Sequence, residues 1–164
     1  MRIADCRALA DSRQSSIDNC VSMTDVDPDN EATFHICVIK SEQRQTEIPK
    51  KAILQELQHC RFGAEAQFAI KLALEEALTN AVKHGNRSDP SKNVIVRYAV
   101  TPEKAVIIVR DEGGGFIPED IPDPTIPDRL TLPAGRGIML MRAYMDEVVY
   151  RDQGREVCFV KRRT

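Results

Sequence analysis

Leu74-Glu75-Glu76-Ala77-Leu78-Thr79-Asn80-Ala81-Val82-Lys83-His84-Gly85 is the stretch on which the reading of this chain turns. Projected at about 100° per residue, it reads as one side of a helix. Ile70, Leu74, Leu78 and Ala81 form the packing stripe. Glu76, Asn80 and His84 follow one another at i,i+4 beside it, flanked by Ala69, Ala73 and Ala77, whose small size leaves room for a ligand. Glu75 falls on the far side, one turn after Lys71, where a solvated ion pair is expected. A carboxylate can orient a nucleophile or take its proton, and a neutral carboxamide oxygen can bind Mg²⁺. Alone, a Glu–Asn pair is also what an ordinary helix with a polar edge carries.

Working outward, this helix is expected from Ala64 to about His84. Gly63 precedes it, and Gly85-Asn86 stops it because both residues tolerate the left-handed conformation. Upstream, a helix from about Lys50 to Cys60 enters through Pro49. Before it, Ala32 to Ile39 is β-branched and apolar and reads as a strand. Downstream, Asn93–Val100 and Lys104–Arg110 form a hairpin around Thr101-Pro102-Glu103. Asp146–Arg151 and Arg155–Arg162 form a second hairpin around Asp152-Gln153-Gly154. Between the hairpins, Ile117–Ala134 holds five of the nine prolines. A structureless loop longer than about 12–15 residues is often a functional lid. The order β-α-α-β-β-lid-α-β-β suggests an α+β fold, a two-layer α/β sandwich with helices on one face of a mixed sheet. Residues 1–31 are polar and read as a loosely attached extension to a domain spanning 32–164.

Two further clusters could carry chemistry. Asp111-Glu112-Gly113-Gly114-Gly115 places an acceptor carboxylate at a strand end, suited to a purine's exocyclic amine. The glycines after it let the backbone approach a flat ligand. Gly135-Arg136-Gly137-Ile138 opens a helix, where bare amides and a guanidinium favour phosphate. Taken singly, the first is also a common Gly-rich turn and the second a hinge. Neither matches the dinucleotide fingerprint or the GxxxxGK[ST] phosphate loop.

Composition narrows the class. The 164 residues are 42% hydrophobic and 29% charged, as in one ordinary globular domain. Lys plus Arg number 23 against 25 acidic residues, for a net charge of −2, so nucleic acid is not expected as a primary partner. The cysteines at 6, 20, 37, 60 and 158 have no metal-ligand spacing and read as small hydrophobes in a reducing compartment. The first residues contain no apolar signal core, and no apolar run reaches the about 20 residues that span a bilayer. A cytoplasmic protein without membrane contact is expected.

Together, in this order and spacing, the clusters resemble the ATP-binding domain of gyrases, Hsp90 chaperones and histidine kinases, the Bergerat or GHKL fold. The resemblance covers most of residues 32–162. Glu76–Asn80 is similar to its N box, Asp111-x-Gly113-x-Gly115 to its first glycine box, and Gly135-x-Gly137 to its second. More narrowly, Glu76-Ala-Leu-Thr-Asn80-Ala-Val-Lys-His84-Gly85 and Gly135-Arg-Gly-Ile-Met-Leu-Met-Arg-Ala-Tyr-Met-Asp146-Glu-Val148 resemble bacterial anti-sigma factor serine/threonine kinases.

The resemblance implies ATP and Mg²⁺ as cofactors. Asp111 would bind the adenine amino group, and Gly113 and Gly115 would shape the pocket floor. Asn80 would hold Mg²⁺, and Glu76 would be the catalytic base. Lys83, His84 and the amides around Gly135, Arg136, Gly137 and Ile138 would face the phosphates beneath the lid. Some relatives place an arginine just ahead of the second glycine box, where this chain has Pro133-Ala134; Arg136 and Arg129 are the candidates to replace it. The implied function is an ATP-dependent kinase that phosphorylates an antagonist (anti-anti-sigma) protein, sequesters a sigma factor and forms a homodimer. The alternative is an ATP-gated regulator that holds a partner without phosphorylating it. A severed histidine-kinase domain is weaker, since no phosphoacceptor hairpin precedes it.

Overall fold

A computed structural model describes residues 34–115 and 136–163. The extension at 1–31, the proline-rich stretch 117–134 with Arg129, and Gly135 lie outside the described residues.

Alternating apolar residues build five strands: β1 (His35–Lys40), β2 (Asn93–Val100), β3 (Lys104–Asp111), β4 (Glu147–Arg151) and β5 (Glu156–Arg162). Their order in the sheet is β1-β2-β3-β5-β4. Thr101 makes the first hairpin turn: its hydroxyl accepts from the Glu103 and Lys104 amides, and its own N–H donates to the Lys104 carbonyl at 2.9 Å. At the second hairpin, Asp152, Gln153 and Gly154 all take positive φ. Such tight turns match the twist of paired strands.

Every strand pair is antiparallel, so the mixed sheet expected from the element order is corrected. β3 and β4 run in the same direction, but β5 inserts between them and bonds to both. No parallel pair therefore forms among the described strands. The α+β two-layer sandwich itself is what the chain adopts.

Three α-helices pack on one face: α1 (Glu47–His59), α2 (Ala64–Thr79) and α3 (Arg136–Tyr144). The stripe read from the sequence is buried, with Ile70 and Leu74 at 0% exposure. It meets inward residues of the strands, including Val96, Ile107 and Phe159, in one apolar core. Ala69, Ala73 and Ala77 are buried too, so their small size serves close packing rather than ligand room. The opposite strand parity carries a second buried cluster of Phe34, Ala99, Val106, Ile108, Cys158 and Val160 on the other face.

Glu75 is exposed, as expected, but its ionic partner is Lys50 of α1, at 2.5 Å, and not Lys71. Lys50 also pairs with Glu47. Burial pulls the Lys50 pKa down, but hydrogen bonds and charge from Glu47 and Glu75 outweigh it and hold the pKa above its ordinary value. A buried ammonium needs such partners, and an exposed lysine one turn away does not. The reading of the cysteines as unlinked hydrophobes holds at Cys60 and Cys158, which are buried and outside any disulfide. It is corrected at Cys37, which is disulfide-bonded. Spacing along the chain carries no record of which thiols the fold brings together.

Candidate functional site

The decisive helix does not stay α-helical to His84. It ends at Thr79, and Asn80–Gly85 forms a π turn. The Asn86 amide donates to the Ala81 carbonyl at 2.8 Å, and the Ser88 amide reaches back to the Val82 carbonyl at 2.7 Å. Wide turns of this kind are frequent at functional sites. The i,i+4 spacing therefore joins Glu76 to Asn80 but breaks before His84. Glu76 and Asn80 are half-buried, while Lys83 and His84 are exposed.

Gly85-Asn86 stops the helix, though not by the left-handed geometry expected. Asn86 has φ −83°, and Arg87 and Ser88 take the positive φ instead. Gly85 is needed for a different reason: a Cβ there would overlap the carboxylate of Asp111. At Gly113 a Cβ would overlap the Gly85 carbonyl and lie 2.9 Å from Asp111 Oδ1. The carboxylate is thus wedged between two glycine backbones, and the Gly113 amide donates to its Oδ1 at 2.7 Å. Asp111 is 8% exposed at the end of β3. Burial pushes its pKa above the ordinary aspartate value, against the opposing pull of the Gly113 amide, Arg155, Arg110 and Lys92.

On the helical side, Gly137 lies in the first turn of α3 against Glu76. A Cβ on Gly137 would overlap Glu76 Oε2 and sit 3.1 Å from Cδ. A carboxylate beside a helix N-terminus is favoured by the dipole and by the unbonded amides there. Arg136 is exposed, and Ile138 turns its side chain into the core with Met141 and Met145. Gly115 has φ +77°, and a Cβ on it would overlap the Gln153 carbonyl, so this glycine packs on the β4–β5 turn.

Two groupings therefore emerge: Glu76 with Gly137, and Asp111 with Gly85 and Gly113. The π turn that begins at Asn80 and ends at Gly85 joins them. Sequence reasoning missed Asn86, which is fully buried and bonded to the first residue of β2 and to Glu112, the residue after β3. Its one signal was an asparagine directly after the last helical glycine, which reads equally well as a helix stop.

The helix-backed sheet thus carries a buried strand-end carboxylate between two glycines, and a glutamate against the first turn of α3. Residues 39–161 match the model of the histidine kinase-like ATPase domain, and the chain belongs to that family. It is 38% identical over 101 residues to the serine-protein kinase RsbW of Bacillus licheniformis, covering 56% of this chain and 62% of the relative. It is 41% identical over 90 residues to the anti-sigma F factor of Geobacillus stearothermophilus, covering 51% and 59%. With the anti-sigma F factor of Clostridium perfringens the identity is 34% over 100 residues, covering 57% and 70%. The chain spans about three fifths of the length of the Bacillus and Geobacillus relatives.

Proposed function

We propose that this domain binds ATP with Mg²⁺ and transfers the terminal phosphate to a serine or threonine of an antagonist (anti-anti-sigma) protein, and that it sequesters a sigma factor. The observation that carries this reading is the pairing of Glu76 with the opening turn of α3 while Asp111 is held between Gly85 and Gly113. The names of the relatives, a serine-protein kinase and anti-sigma F factors, support it.

In this reading the ionised Asp111 accepts from the adenine amino group, and Gly113 and Gly115 let the base lie close to backbone. Glu76 takes the proton of the attacking hydroxyl as its oxygen bonds to the γ-phosphorus and the bond to the β–γ bridging oxygen breaks, releasing ADP. Lys83, His84 and Arg136, with the amides of Gly137 and Ile138, face the phosphates, and Gly135 is assigned to them by its motif alone. Among the described residues no cluster of three His, Cys, Asp or Glu could cage a metal. The donor set still fits Mg²⁺, which takes few protein ligands and keeps phosphates and water. Asn80 would hold it through its carboxamide oxygen. Bound there, Mg²⁺ would neutralise phosphate charge.

The working unit in this proposal is residues 32–164, with 1–31 an extension, acting as a homodimer in the cytoplasm. No described helix is long and apolar enough to cross a membrane. The test is to incubate the purified protein with labelled ATP, Mg²⁺ and candidate antagonists from the same source, and to assay phosphoserine and phosphothreonine. Transfer to an antagonist is the expected result. ATP-dependent retention of a sigma factor with no transfer to any antagonist would instead establish the ATP-gated binding regulator.

A further inference from the structure

Asn86 makes more bonds than a helix stop requires. Its Nδ2 donates to the Asn93 carbonyl at 2.8 Å, and its Oδ1 accepts from the Glu112 amide at 2.8 Å. Glu112 closes the circuit, its Oε2 accepting from the Asn93 amide at 2.7 Å. Asn86 is 0% exposed, so its own side of each bond is shielded from bulk water. The three residues tie the end of the π turn to the first residue of β2 and to the residue after Asp111. Between these ties sit Gly85 and Gly113, the two backbones that confine the Asp111 carboxylate.

We infer that Asn86 is a positioning residue for base recognition: its side-chain amide holds Gly85 and the Glu112–Gly113 turn at the separation that aims Asp111 at a purine's 6-amino group. The inference rests on the nucleotide-binding reading of the site. Asn86 touches no ligand; it acts through Asp111. An aimed acceptor favours adenine, with an amine at position 6, over guanine, with a carbonyl there that repels a carboxylate. Releasing the clamp leaves Glu112 N–H and the Asn93 carbonyl without their buried partner and frees the carboxylate to shift.

The experiment compares ATP and GTP affinities by calorimetry for wild type, Asn86→Ala, the milder Asn86→Ser, and a core variant, Ile53→Val. Ile53 is fully buried in α1, apart from the site, and reports generic loss of stability. Asn86→Ala is expected to weaken ATP binding about tenfold, the scale of one lost buried hydrogen bond, and to narrow the ATP-over-GTP preference by a similar factor. Asn86→Ser, whose hydroxyl can satisfy one partner, should narrow it less and serves if the alanine variant does not fold. Ile53→Val should keep the wild-type preference. A folded Asn86 variant with unchanged preference overturns the inference, as does an equal narrowing in Ile53→Val. Wild type that binds no ATP overturns the nucleotide-binding reading and this inference together, so the two failures are distinguishable.

Discussion

Gly137 and Glu76 occupy each other's space so fully that a methyl group on the glycine would overlap the carboxylate. Gly137 belongs to α3 and Glu76 to α2, and neither lies in a strand of the sheet. Their approach places the proposed base beside the helix opening that the same reading assigns to phosphate.

Gly137→Ala should therefore separate stability from activity. Alanine is a better helix former than glycine by about 1 kcal/mol, so melting temperature should hold or rise. The side chain that must give way is the flexible end of Glu76, and displacing a reacting group by about 1 Å can cost on the order of 10²-fold in rate. Wild-type phosphate transfer in this variant would remove Glu76 from the mechanism as placed here.

Glu76→Gln keeps size and most hydrogen bonding but removes basicity. ATP should still bind, while transfer falls on the order of 10²–10⁴-fold. Glu75→Gln breaks the pair with Lys50, and since Glu75 is half exposed the stability loss should be about 0–1 kcal/mol, with transfer intact. Asn80→Ala should differ from both by weakening Mg²⁺-dependent nucleotide binding as well as turnover. Damage from Glu75→Gln with a silent Glu76→Gln would reverse the assignment.

Asp111 sets a pH dependence. Its folded pKa lies above the ordinary value, chiefly through burial. Between the unfolded and folded values the native state binds more protons, so this group's contribution to stability falls as pH rises through the folded pKa. Ligand binding runs the other way, because only the ionised form is a pure acceptor. Titrating ATP affinity downward in pH should show a loss that begins above the range of an exposed aspartate. Asp111→Asn should abolish adenine-nucleotide binding without unfolding the protein, since the amide can present a donor to the purine amine. Unchanged calorimetric affinity in that variant would refute the placement of the base.

Gly85→Ala drives a Cβ into the Asp111 carboxylate, which is confined on its other side by Gly113. ATP affinity should drop with the circular dichroism spectrum retained. The variant gains helix propensity, so a loss of binding could not be ascribed to a weaker helix.

Much of this fold is legible in the sequence because its elements announce themselves locally. The β2 and β3 hairpin reads to within a residue, since Thr101 and Pro102 punctuate two apolar runs. The packing stripe of α2 comes from its period. Partners in space are not legible. Nothing local says that Glu75 meets Lys50 25 positions away, that β5 separates β3 from β4, or that Cys37 is bridged. The pairing of Gly85 with Asp111 is invisible for the same reason, although each residue stands out in its own motif. The π turn escapes because a helical wheel assumes one period throughout.

That turn behaves like a vernier. Upstream of it, α2 is graduated in α-helical steps that suit the core; beyond it, the chain must suit two strand ends and a carboxylate. A π turn is an α-helix carrying one surplus residue, and that residue sets the offset between the two scales. Winding these same six residues at the α-helical step instead, with none removed, would turn the downstream chain by about 100°. Gly85 would leave Asp111, and Asn86 would leave Asn93 and Glu112, while the core stripe through Leu78 stayed in place. A variant that favours α-helical winding there should keep the core of α2 and lose the proposed base site.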